Sequence, residues 1–133
     1  MSIEEIRNYC LSLPHTTEEM PFDDTTLVYK VGGKWFAVAD IEENDKVVVK
    51  CDPDLAIELR DRHEEVTAAW HFNKRHWNAI SFRGDLADSF IYQQIYNSYR
   101  LVISKNVKPR ALRNVILDAL NEYEAKEICD HEL

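Results

Sequence analysis

The sequence predicts an α+β domain: an antiparallel sheet with helices packed on it, in the rough order α-β-β-β-α-β-β-α-α. Three observations carry that prediction. Apolar residues recur at helical spacing near both ends of the chain. Two β-rich runs flank Gly32-Gly33, and a third follows after a short polar turn. No regular strand–helix–strand alternation, the pattern behind a doubly wound parallel sheet, is visible.

The elements follow in order. Ser2-Ile3-Glu4-Glu5 reads as a capping box, in which Ser2 caps the N3 amide and Glu5 reaches back. Ile3, Ile6, Cys10 and Leu13 then share one helical face, and the helix should stop near Pro14, because the residue before proline avoids the α region. Residues 15–24 read as a polar loop interrupted by Met20-Pro21-Phe22. Residues 27–31 and 34–41 are the two arms of a hairpin, with Gly32-Gly33 as its turn. Glu42 to Asp45 is a second turn, and residues 46–51 are a third strand with Lys46 and Lys50 flanking three valines.

Asp52-Pro53 opens a helix, Asp52 as cap and Pro53 at the first position, running to about His63. Residues 77–82 read as a strand, with residues 68–72 as its hairpin partner. Arg83-Gly84-Asp85 reads as a turn, after which Asp88 caps a long helix with Ile91, Ile95, Tyr99 and Val102 on one face. Residues 106–109 break it. A last helix spans 110–123, so residues 1–123 form one domain and the acidic residues 124–133 a frayed tail.

At 133 residues, 45% of them hydrophobic, the chain is long enough to bury a core without metals or disulfides. The cysteines, Cys10, Cys51 and Cys129, are odd in number and far apart, so free thiols in a reducing cytoplasm are expected. No run of apolar residues is long enough to span a membrane, and the acids in the first helix exclude a secretory leader there. A net charge of −8 disfavours non-specific attraction to nucleic acid or anionic lipid. The charge is unevenly spread. Residues 1–24 and 114–133 each carry six acids and one base, whereas residues 70–83 carry three bases and no acid, and residues 100–113 five bases and no acid.

Several segments together resemble the MmcQ/YjbR family. They are Pro14, Pro21-Phe22, Tyr29-Lys30-Val31-Gly32-Gly33-Lys34-Trp35-Phe36-Ala37, Asn73-Lys74-Arg75-His76-Trp77, and Ser98-Tyr99-Arg100-Leu101-Val102. The resemblance runs in order to about Leu120; it departs at Asp23, where the family commonly has glycine. It implies a fold similar to CyaY/frataxin-like or secretion-chaperone-like α+β sandwiches, and binding to DNA by a fold-level analogy.

The residues themselves offer one candidate site. Trp70-His71-Phe72-Asn73-Lys74-Arg75-His76-Trp77 interleaves bases and aromatics, as a single-stranded nucleic-acid site does when cations meet phosphates and rings stack on bases. Packing of the three rings around a solvated turn explains the same residues. Lys105, Lys108, Arg110 and Arg113 flank a helix break and would extend such a surface, or they complement helix ends. The candidate set is therefore Lys74, Arg75, His76, Trp77, Lys105, Lys108 and Arg110.

No catalytic or metal-binding constellation is legible. His71 and His76 are five apart, not the four of a helical metal pair, and Ser98 lacks a nucleophile-elbow glycine pattern. The leading expectation is a non-enzymatic module that binds DNA or another nucleic acid, without cofactor. The alternative is a protein-interaction or chaperone-like domain, self-associating through an apolar face, which suits the acidic charge. An acidic metal binder of frataxin type ranks below both. A continuous basic patch would favour the first reading, and a large exposed apolar patch the second.

Overall fold

The computed structural model describes residues 1–69 and 71–132, with side chains at 128–132 excepted. Trp70 and the thiol of Cys129 therefore lie outside the described set. The architecture is α+β, as the sequence predicts. Four helices accompany one six-stranded antiparallel sheet of order β1-β2-β3-β4-β6-β5. The strands are β1 (Thr16–Glu19), β2 (Thr26–Val31), β3 (Lys34–Asp40), β4 (Lys46–Lys50), β5 (Val66–Ala68) and β6 (Trp77–Ser81). The helices are α1 (Ile3–Ser12), α2 (Pro53–Arg62), α3 (Asp88–Asn106) and α4 (Arg110–Glu132).

Local signals account for most boundaries. The Ser2 hydroxyl accepts from the Glu5 amide at 3.3 Å, and the Asp52 carboxylate accepts from the Asp54 and Leu55 amides at 3.2 and 3.4 Å. Gly32 and Gly33 both take positive φ, 57° and 79°, as a primed two-residue hairpin turn requires.

Four expectations are corrected. Part of the polar loop after Pro14 forms β1, an edge strand paired to β2 with Thr16 opposite Val31; its Thr-Thr-Glu-Glu composition hides a strand whose residues alternate between half-buried and exposed. The partner of β6 is Val66–Ala68 rather than residues 68–72, because that register sets Val66 opposite Ile80 on the buried face. Asp88 is the first helical residue of α3, not its cap; Ala87 occupies the cap position without a side-chain bond, and the Asp88 carboxylate complements the helix dipole instead. The last helix continues past Tyr123 to Glu132, through residues that are mostly good helix formers.

The sheet has two unlike faces. Leu27, Tyr29, Val31, Val47, Val49 and Ile80 point to one side, where Ile6, Cys10, Ile91, Ile95, Tyr99, Val102, Ile116 and Leu120 from α1, α3 and α4 complete the core. Pairing breaks regular step in β3: Tyr29 faces Ala37 and Lys30 faces Trp35, so Phe36 is a bulged extra residue. The bulge turns Phe36 into the helical core, its ring 5.3 Å from that of Tyr99. Gly32 is held by more than its φ: a Cβ there would sit 2.8 Å from Val107 Cγ1 and 3.2 Å from Ile116 Cδ1.

Candidate nucleic-acid interface

The other face of the sheet carries no helix. Strand alternation places Trp35, Val38, Val48, Trp77 and Ala79 there, together with Lys30, Lys46 and Lys50. Phe22, from the loop before β2, and Phe72, from the loop before β6, lie over it. The four rings form a chain: Phe22 to Trp35 at 5.3 Å, Trp35 to Phe72 at 6.3 Å, and Phe72 to Trp77 at 5.3 Å between centroids. Trp35 and Trp77 do not enter the sheet–helix core. Both are half-buried on the opposite face, because the bulge at Phe36 hands the core position to the phenylalanine and leaves Trp35 pointing outward.

Two hollows mark this surface, and a third adjoins them at the end of β4. The largest, of about 540 Å³, runs over Phe22, Trp35, Val38, Val48, His71 and Phe72, and its rim carries Asp23, Asp40 and Glu43 as well as Lys46. A second, of about 380 Å³, lies between Lys34, Trp35, Lys50, Phe72, Trp77 and Asn106. A third, of about 230 Å³, joins Lys50, Cys51 and Asp52 to His76, Leu101 and Lys105. The two smaller hollows share Lys50, whose ammonium donates to Asn106 Oδ1 at 2.8 Å and whose burial lowers its pKa. The surface is thus acidic where β3 ends and basic where β4 ends.

The structure brings some of the predicted residues together and separates others. His76, Trp77 and Lys105 converge around Lys50. The His76 carbonyl accepts from the Cys51 amide at 2.8 Å, which ties the loop to the end of β4. Lys74 and Arg75 are exposed on the same loop but line none of the three hollows; the Lys74 carbonyl accepts from Arg60 at 2.8 Å and the Arg75 amide donates to Asn73 Oδ1 at 3.0 Å. Lys108 and Arg110 are exposed at the α3–α4 junction and also line none of them. Lys34, Trp35, Lys50, Phe72 and Asn106 were not in the predicted set. The alternation of Lys46, Val48 and Lys50 against Val47 and Val49 is the sequence signal that points the β4 lysines to this face. Among the described residues, none of Lys34, Lys50, Lys74, Arg75, Lys105, Lys108 and Arg110 enters an ion pair.

Other chemistry is sparse among the described residues. No group of three or more His, Cys, Asp or Glu side chains could hold a metal ion. No helix is long and apolar enough to cross a membrane. Cys10 and Cys51 are free thiols, and burial raises the pKa of both.

The family model described as YjbR matches residues 11–101. The chain belongs to the YjbR family. It is 32% identical to the Escherichia coli (strain K12) protein YjbR over 118 residues, 88% of this chain and 98% of the relative. It is 24% identical to E. coli O157:H7 YbdF over 101 residues, 75% of this chain and 83% of that one. Among solved structures, a DUF419-domain protein of Deinococcus radiodurans superposes with a TM-score of 0.79 at 32% identity, covering 86% of this chain and 87% of its own. A Pseudomonas syringae protein shares the fold at a TM-score of 0.66 and 22% identity, with 76% and 98% covered.

Five of the YjbR-like residues have structural duties here. The Tyr99 hydroxyl donates to the Pro14 carbonyl at 2.6 Å, Ser98 bonds the bulge at Phe36, and Gly32 admits Val107. Trp35 and Trp77 have no such bond among the described residues; they supply the rings of the open face.

Proposed function

We propose that this YjbR-family protein is a non-enzymatic module that binds single-stranded nucleic acid across the basic end of the open sheet face. The observation that carries this reading is that three half-buried rings, Trp35, Phe72 and Trp77, line one hollow with Lys34 and Lys50, that Lys50 lines the next hollow with Lys105, and that none of these lysines is paired to an acid among the described residues. Rings on a sheet surface stack on bases of any sequence, and neighbouring ammonium groups meet the phosphates. Asp23, Asp40 and Glu43 at the far end of the groove repel a polyanion, so the contact spans only a few nucleotides. A duplex fits this reading poorly, since its bases are already stacked.

The test is a salt-titrated binding assay with single- and double-stranded DNA and RNA. Three phosphate contacts, one each at Lys34, Lys50 and Lys105, give a log–log slope of about −2 on single strands. Replacing Lys34 and Lys105 with Ala should weaken binding of all sequences alike, with a shallower slope. Absence of binding to every nucleic acid at low salt overturns the proposal.

A protein partner is the second reading, favoured by Phe22, which is 62% exposed at the mouth of the largest hollow. Phe22→Ala would then abolish capture of that partner while leaving any nucleic-acid binding intact.

A further inference from the structure

The helical side of the molecule holds a second groove, of about 850 Å³, between α1, α3 and α4. Its walls include four tyrosines: Tyr9 from α1, Tyr92 and Tyr96 one turn apart on α3, and Tyr123 from α4. All four are half-buried, with the rings of Tyr9 and Tyr92 4.6 Å apart. The groove also includes Glu124 and Glu127, and no lysine or arginine lines it. Glu124 is engaged: it pairs with Arg100 at 2.7 Å and accepts from the Tyr96 hydroxyl. Glu127, one turn beyond Tyr123, enters none of the ion pairs among the described residues.

We propose that this groove binds a small organic cation with a quaternary ammonium head. The face of a tyrosine ring carries the negative side of its quadrupole, and a cation within about 6 Å of a ring centroid is attracted by it. An ammonium that carries methyl groups instead of hydrogens also gains from apolar contact with the rings and has no N–H bonds to satisfy. Glu127 adds a formal negative charge at the rim. Negative potential extends along the α3 wall, where Glu5 and Asp88 help raise the Tyr92 pKa after burial itself. Anions lack this match: no lysine or arginine is among the groove's described lining residues, and Arg100, which pairs with Glu124, is already engaged. The groove is separate from the open sheet face, so the inference stands independently of the nucleic-acid reading.

The experiment is a titration of the full chain with choline, followed by tyrosine ring NMR shifts, beside its uncharged isostere in which carbon replaces nitrogen. Choline should saturate, and the isostere should bind at least about tenfold more weakly, as expected when charge rather than shape is recognised. Tyr92→Phe keeps the ring and should bind as wild type, whereas Tyr92→Leu should lose roughly two- to thirtyfold. The wild-type comparison needs no variant, so a misfolded Tyr92→Leu leaves the test intact. No saturation by about 10 mM choline, or equal binding of the isostere, overturns the proposal.

Discussion

The Ser98 hydroxyl donates to the Phe36 carbonyl at 2.6 Å, across 62 residues of sequence, and the same oxygen accepts from the Lys50 amide at 2.8 Å. Regular β3–β4 pairing stops at Ala37 opposite Val49, so Phe36 and Lys50 cannot bond each other across the bulge. One buried hydroxyl on α3 takes the place of the missing rung. Ser98→Ala leaves a carbonyl and an amide without partners beside the core, at a cost of about 1–3 kcal/mol for each unsatisfied group. Urea unfolding measures it; a change below about 0.5 kcal/mol would show that water replaces the hydroxyl.

The two hairpin glycines should respond differently. Gly33→Ala meets no atom within 4 Å and carries only left-handed strain, about 1–2 kcal/mol. Gly32→Ala carries the same strain and also drives a methyl into Val107, at 2.8 and 2.9 Å from its two Cγ atoms. The second variant should melt clearly below the first. Equal melting temperatures would mean that the α3–α4 junction at Val107 yields freely.

The tryptophans should prove less critical to stability than the bulged phenylalanine. Phe36→Ala removes a fully buried ring and should cost about 3–5 kcal/mol, whereas Trp35→Ala and Trp77→Ala remove half-buried rings and should cost less. Denaturant midpoints for the three variants decide it. If Trp77→Ala matches Phe36→Ala, the open face is a second core rather than a stacking surface.

Alkali should unfold the protein through its buried phenols and thiol. Burial raises the pKa of Tyr29 and Tyr99 above their ordinary 10.0, and that of Cys10 above 9.0. A group whose pKa is higher in the folded state binds its proton more tightly there, so its contribution is fully present below the unfolded pKa. It is lost as pH rises past that value. Stability should therefore decline above pH 9 to 10, with tyrosinate absorbance appearing together with loss of helix. Tyrosinate signal from Tyr29 and Tyr99 in a still-folded protein would contradict this.

On the proposed interface, Lys34→Ala combined with Lys105→Ala should flatten the single-strand salt slope by about 1.4, from 0.7 per phosphate contact. Asp40→Asn, at the acidic end, should strengthen binding slightly. An unchanged slope in the lysine variant would place the contact elsewhere.

What the sequence determined by itself is local. Ser2, Asp52, Pro53 and Gly32-Gly33 set helix starts and the hairpin, because capping and positive φ depend on a few neighbouring residues. The acid-free segments were also legible, and three of their residues, His76, Trp77 and Lys105, do meet. Tertiary structure alone decided the rest. The polar β1 is a strand because β2 offers it an edge, and no pattern within Thr16–Glu19 announces that. Trp35 faces outward because one extra residue at Phe36 reverses the parity of the strand, a shift that composition does not record. Lys50 joins His76 and Lys105 because β4 and α3 end at the same end of the sheet. The tyrosine groove exists only because α1, α3 and α4 pack side by side. Distances between residues far apart in the chain are fixed by packing, and packing is a property of the whole core.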